Sequence, residues 1–267
     1  MTVYKLKNGM EVVLQDGEYL YDTCQTCPVF NRCKRVSGES ALPNDYVHNN
    51  ACNGFIMLQR ALDLSGLPRE YRGLKAADFD MREHSESAQS FLGAMFHRST
   101  DMVSNGSNVA LMSLHKGTGK TFAGTIILNE YIYANCMTTF DYENPLAMYV
   151  KYGQWANELR TQYQVEDEEY ILRVQKKLEA MKNVPLLMLD DIGSGRITKF
   201  IRDLTYDVID YRKENGLSTI FTTNLTEAQL SHVENLGDIV TSRMFFNTMV
   251  YEMNGRDRRR DTTMYIQ

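Results

Sequence analysis

The run Gly117-Thr118-Gly119-Lys120-Thr121 places two glycines, a lysine and a hydroxyl side chain within five consecutive positions. Glycines at those positions let successive backbone N–H groups turn inward on the oxygens of an anion. A lysine beside them neutralises linked phosphates, and a hydroxyl one step later reaches the magnesium ion that accompanies such a ligand. The spacing therefore points to a nucleoside triphosphate site. Lys120 would lie on the β and γ phosphates and Thr121 on Mg2+, with the backbone from Gly117 through Thr118 and Gly119 to Phe122 around the phosphate chain. The complete pattern of such a loop has a further glycine where this chain has Leu114, so only its second half matches. A side chain there either narrows the loop entrance or fills space beneath it.

Two other groups of residues fit the same chemistry. Leu186-Leu187-Met188-Leu189 runs directly into Asp190 and Asp191. At the carboxyl end of a central strand, Asp190 would hold magnesium through water, and Asp191 would orient or deprotonate an attacking water. Thr222-Thr223-Asn224 closes another apolar run, and the Asn224 amide could hydrogen-bond both the γ-phosphate and that water. Taken singly, each has a plainer reading: a chance glycine turn, a strand ending in solvated acids, a polar turn residue. Their occurrence in one chain favours hydrolysis of ATP to ADP.

These residues require strands and helices in alternation. A short apolar run at 108–114 precedes the glycine turn, and a helix is expected over 122–133. Further strands are expected at 146–151, 185–189, 218–223 and 249–253, with 185–189 buried on both faces because it lacks alternation. Helices are expected at 155–163, 167–181 with the stripe Ile171, Val174, Leu178 and Met181, and from a cap at Thr198 to Gly216. Thr226 and Gln229 fit a capping box. Such an order implies an α/β fold, a parallel sheet with helices on both faces. Before it, the dipeptides Asn8-Gly9 and Asp16-Gly17 suggest short antiparallel hairpins, and residues 53–64 carry helical periodicity. Ser65-Gly66-Leu67-Pro68 marks the boundary between a head, residues 1–64, and an ATPase domain, residues 65–267.

The chain has 267 residues, 43% of them hydrophobic, and a net charge of -5. That balance excludes coating of nucleic acid by bulk attraction and leaves local basic patches such as Arg256, Arg258, Arg259 and Arg260. No stretch of eighteen uncharged apolar residues occurs, and the first fifteen residues carry charge, so a soluble, cytoplasmic protein with no membrane association is expected. Cys24, Cys27, Cys33 and Cys52 cluster in the head, with Cys136 far away. The two-residue gap between Cys24 and Cys27 lets one knuckle present two thiolates to a tetrahedral zinc ion. Cys33 and Cys52 would complete the set, with His48 the rival fourth ligand. An iron–sulfur cluster or reduced thiols are the alternatives. A metal would supply folding energy to a head with little core of its own.

Over roughly residues 66–267 the chain resembles the AAA+ ATPases of the DnaC and DnaI helicase-loader group, with the IstB transposition ATPases as cousins. The resemblance rests on the glycine turn and on Gly66-Leu67-Pro68-Arg69-Glu70-Tyr71-Arg72, Leu189-Asp190-Asp191-Ile192-Gly193 and Phe221-Thr222-Thr223-Asn224-Leu225. Thr241-Ser242-Arg243-Met244 and Gly255-Arg256-Asp257-Arg258-Arg259 complete it. It implies an AAA+ P-loop core that self-associates, in which Arg243 reaches the γ-phosphate of a neighbouring subunit and Arg259, or Arg258, senses nucleotide in its own. Read without the family, Arg243 is a helix arginine in a surface salt bridge. The resemblance further implies loading of a DnaB-type replicative hexameric helicase onto single-stranded DNA, with the metal-bearing head gripping the helicase. Many relatives carry glutamate where this chain has Asp191. A nucleotide-binding adaptor weakened at Leu114 and Asp191, and an IstB-like transposase partner, are the competing expectations.

Overall fold

The segment 186–189 has no polar residue and no alternation, so water must be kept from both its faces. In the computed structural model, which describes residues 2–5, 11–14, 53–139, 143–195, 197–254 and 257, it is the buried heart of strand β5 (Leu186–Ile192). Leu186, Leu187, Met188 and Leu189 are all sealed from solvent. Four further strands join it: β3 (Asn108–Met112), β4 (Ala147–Lys151), β6 (Ser218–Thr223) and β7 (Thr248–Glu252). All pair in parallel, in the order β4-β5-β6-β3-β7.

Successive strand side chains point to opposite faces, and each face has its own helices. On one, Leu186, Met188, Ile220, Val109 and Leu111 pack with α1 (Asn53–Leu64), α2 (Glu86–His97) and α4 (Lys120–Asn135). A short helix, α3 (Ser99–Ser104), packs with the same group. On the other face, Leu187, Leu189, Phe221 and Val150 meet α5 (Tyr152–Thr161), α6 (Glu168–Asn183) and α7 (Lys199–Glu214). Two short helices, α8 (Glu227–Ser231) and α9 (Gly237–Met244), complete that layer. The expected α/β class, with helices on both faces of a parallel sheet, is therefore found.

Local signals set most boundaries. Asp167 accepts from the backbone N–H groups of Glu169 and Tyr170 at the start of α6, Thr198 caps α7, and Thr226 and Gln229 form the expected box before α8. Gly216 sits at φ +63° just past α7, where a left-handed residue ends a helix. Helix α1 and strand β6 occupy the residues expected of them. Helix α5 begins at Tyr152, three residues before the expected 155, and three boundaries around the glycine loop and the carboxylates differ. Strand β3 stops at Met112 because Ser113 already begins the glycine loop. Helix α4 starts at Lys120 because Gly119, in a left-handed conformation, is its N-cap. Strand β5 continues through both carboxylates instead of ending before them.

At the head of the chain, β1 (Thr2–Lys5) and β2 (Glu11–Leu14) form an antiparallel hairpin with Thr2 opposite Leu14. Helix α1 buries Leu58, Ala61 and Leu62 in the core it shares with α4. Arg72 ties this helix to the following loop through Asp63 at 2.5 Å and the Leu67 carbonyl at 3.0 Å. Among the described residues no helix is long and apolar enough to cross a membrane.

Candidate functional site

The loop between β3 and α4 bends through two left-handed glycines, Gly117 at φ +75° and Gly119 at φ +93°. A methyl group on Gly117 would lie 1.7 Å from Asp257 Oδ1, so a side chain there would displace Asp257 as well as strain the left-handed backbone. The same proximity places Asp257 against the loop. Lys120, the first residue of α4, is buried and turns back over the loop, its Nζ donating to the His115 carbonyl at 3.0 Å and Thr118 Oγ1 at 3.3 Å. Leu114 is 57% exposed, so its side chain does not fill space beneath the loop.

The carboxylates are set by an irregularity in β5. Leu189 pairs with Phe221 and Ile192 with Thr223, so two residues of β5 oppose one of β6. This is a β-bulge, and Asp191 within it has φ +59°, a conformation that strains any residue with a side chain. Regular alternation would have sent Asp190 and Asp191 to opposite faces; the bulge allows both to serve one end of the sheet. Thr222 Oγ1 holds it, accepting from the Asp191 backbone N–H at 2.8 Å while donating to Asp190 Oδ1 at 2.7 Å. Asp190 is 4% exposed and takes two more hydroxyl donors, Thr121 Oγ1 on Oδ1 at 2.7 Å and Tyr149 OH on Oδ2 at 2.8 Å. Asn224 Nδ2 donates to Asp191 Oδ1 at 2.9 Å, and the other end of that amide, Oδ1, is buried with no hydrogen-bond partner.

These groups open onto one cleft of about 1020 Å³ whose lining includes Gly117 to Phe122, Asp190, Asp191 and Asn224. Its wall also includes Gly66, Pro68, Glu70 and Tyr71, in a loop held against α4 by Asn129, which donates to the Tyr71 carbonyl at 2.7 Å. The donors fit a magnesium nucleotide: a hydroxyl and a buried carboxylate converge at Thr121 and Asp190, a cation lies at Lys120, and an amide oxygen at Asn224 awaits a donor. Of the site residues named from sequence, the cleft gathers Gly117, Thr118, Gly119, Lys120, Thr121, Phe122, Asp190, Asp191 and Asn224.

Arg243 is not on that wall. It lies on α9, paired through Nε with Asp210 of α7, with its guanidinium 4.7 Å from the centre of the Tyr206 ring. The Arg243 hydrogen bond holds Asp210 below the usual carboxylate range. A salt bridge, as read from the residues alone, is thus what this chain contains, half-buried between α7 and α9. Arg258, Arg259, Cys24, Cys27, Cys33, Cys52 and His48 lie outside the described residues. Among the described residues no group of three or more His, Cys, Asp or Glu side chains could hold a metal. Sequence reasoning missed Tyr149 and the double role of Thr222, because both depend on strand register. Lys151 of β4 pairs with Asp190, so Tyr149, two residues earlier, shares its face.

Comparisons with known proteins agree with this geometry. The replicative helicase loader DnaI of Bacillus subtilis (strain 168) is 30% identical over 145 residues, covering 52% of this chain and 42% of that protein. Less than half of that relative's length is therefore matched. A crystal structure of DnaI superposes with a TM-score of 0.55 at 22% identity, covering 75% of this chain and all of that one. A crystal structure of the DnaC helicase loader gives the same score at 21% identity over 70% of this chain and all of that one. At such identities these likenesses concern the fold. A family model described as IstB-like ATP binding protein matches residues 55–264, a span that takes in the whole wall of the cleft, and the chain belongs to that family.

Proposed function

We propose that this protein is an ATPase that loads a DnaB-type replicative helicase onto single-stranded DNA, with nucleotide governing assembly and release. The observation that carries the ATPase reading is the meeting of Thr121 and Thr222 on Asp190 Oδ1, beside buried Lys120. Bound magnesium would supply charge neutralisation at the β and γ phosphates, held by Thr121 and, through water, by Asp190. Lys120 would leave the His115 carbonyl for the phosphates, and the N–H groups of Gly117 to Phe122 would cradle them. Asn224 holds one oxygen of Asp191, which leaves the second to take a proton from water. The relatives named above support the loader role.

A nucleotide-binding adaptor with little turnover is the second reading. The observation in its favour is that Asp191 and Asn224, the two groups assigned to water, bond to each other. Steady-state turnover with and without single-stranded DNA separates the two. Tight nucleotide binding without turnover would overturn the ATPase.

In the same reading, residues 1–64 dock the helicase, with zinc held by Cys24, Cys27 and Cys33 together with Cys52 or His48. Because α1 contributes Leu58, Ala61 and Leu62 to the ATPase core, the informative truncation removes residues 1–52. It should abolish co-purification with helicase and lose the zinc measured in the same sample; retained binding would overturn the docking role. Arg243 is proposed to act across a subunit boundary, with Arg259 or Arg258 sensing nucleotide in its own subunit. Mixing Arg243→Ala with Lys120→Ala subunits should then restore part of the turnover that each lacks alone.

A further inference from the structure

Strand β4 lies at the edge of the sheet, beside β5 alone among the described strands. Its Tyr149 is fixed from two sides. The backbone N–H of Tyr149 donates to the Ser65 carbonyl at 2.7 Å, so the edge is taken by the linker that follows α1. The side chain crosses to β5 and donates its hydroxyl to Asp190 Oδ2 at 2.8 Å.

The division of donors around Asp190 matters. Thr121 and Thr222 both serve Oδ1, and Tyr149 alone serves Oδ2 among the described residues. If Thr121 turns its hydroxyl to a cation, Tyr149 and Thr222 remain, one on each oxygen. Two points of attachment fix the plane of a carboxylate; one leaves it free to rotate. We infer that Tyr149 is a positioning residue for the magnesium site, holding Asp190 in the orientation that receives the ion; this rests on the magnesium-nucleotide reading above. Partners that orient metal-binding groups in this way are worth about 10- to 100-fold in metal affinity.

Tyr149→Phe tests this in the full chain, since it removes a single hydroxyl and keeps the ring. The readout is binding of a fluorescent ATP analogue titrated with Mg2+. The magnesium concentration for half-maximal enhancement of binding should rise about tenfold in Tyr149→Phe. Affinity without magnesium should stay at the wild-type value, while the melting temperature falls by a few degrees at most, the loss expected for one hydroxyl donor to a buried carboxylate. In an Asp190→Asn background, where no carboxylate remains to orient, adding Tyr149→Phe should change nothing further. An unchanged magnesium requirement, or an equal shift in the Asp190→Asn background, would overturn the role of Tyr149. A wild-type protein that fails to bind the analogue would instead overturn the nucleotide site itself.

Discussion

Two charged side chains are buried at opposite ends of the same pair of strands. Asp190 stands where β5 opens on the cleft, 4% exposed; Arg212 stands beneath the start of β5 and β6, 1% exposed. Neither is bonded to a group of opposite charge among the described residues. Asp190 is served by three hydroxyls and Arg212 by the carbonyls of Met181, Lys182, Val184, Pro185 and Ser218, with Thr219 Oγ1 as a sixth acceptor. Met181 and Lys182 lie in the last turn of α6, where carbonyls lack helical partners and the helix end is negative. Burial lowers the Arg212 guanidinium to about 9, which still leaves it charged at neutral pH. Hydroxyls can rotate to new partners, whereas backbone carbonyls cannot. A charge that must exchange its ligands is surrounded by the first kind, and a charge that must not is surrounded by the second.

The comparison breaks most visibly at Arg212. Arg212→Leu takes away the guanidinium donors of five carbonyls, of which Pro185 keeps the Ser218 N–H, and should cost about 3 to 5 kcal/mol. The expected fall in melting temperature is on the order of 10 °C, measured by calorimetry. Lys120→Ala should weaken ATP binding about 100-fold, as read by titration, with no comparable fall in melting temperature, because its carbonyl partner lies on a solvated loop. Asp190→Asn should abolish most of the magnesium-dependent gain in nucleotide affinity, about tenfold or more, yet leave stability within about 1 kcal/mol, because its hydroxyl donors can turn to the amide oxygen or to water. If Asp190→Asn proves as destabilising as Arg212→Leu, the distinction between rotatable and fixed partners is wrong. Asp210→Asn supplies a half-buried control: the Arg243 pair is partly open to solvent, and its loss should lower the melting temperature by no more than a few degrees.

The glycine turn and its assignment to a phosphate ligand were legible because all of its residues are contiguous. So were the sheet class and most helix caps, which depend on neighbours within four positions. What escaped depends on distant partners. The end of β5 was misplaced because two adjacent acids look like solvated chain, and only the hydroxyls of Thr121, Tyr149 and Thr222 make Asp190 tolerable in the interior. Arg212 gave no sequence signal at all; an arginine in the last turn of a helix normally faces water. For Arg243 the residues alone foretold a salt bridge, and the role across a subunit boundary came only from resemblance.

The bulge at Asp190 and Asp191 also shifts the phase of the strand. Leu187 and Leu189 point to the face of α5 to α9, and so does Ile192, an odd step away. The extra residue absorbs that odd step: Asp190 and Asp191 together oppose one residue of β6, so Ile192 again meets Thr223 on the layer of Leu189. Deleting one acid would leave a regular strand in which Ile192 keeps both its partner and its layer. Gly193, where an added methyl would fall 2.4 Å from Leu225 Cδ1, would keep its place as well. The packing beneath the strand therefore does not require the second residue; only the end of the sheet, where two carboxylates meet one cleft, does.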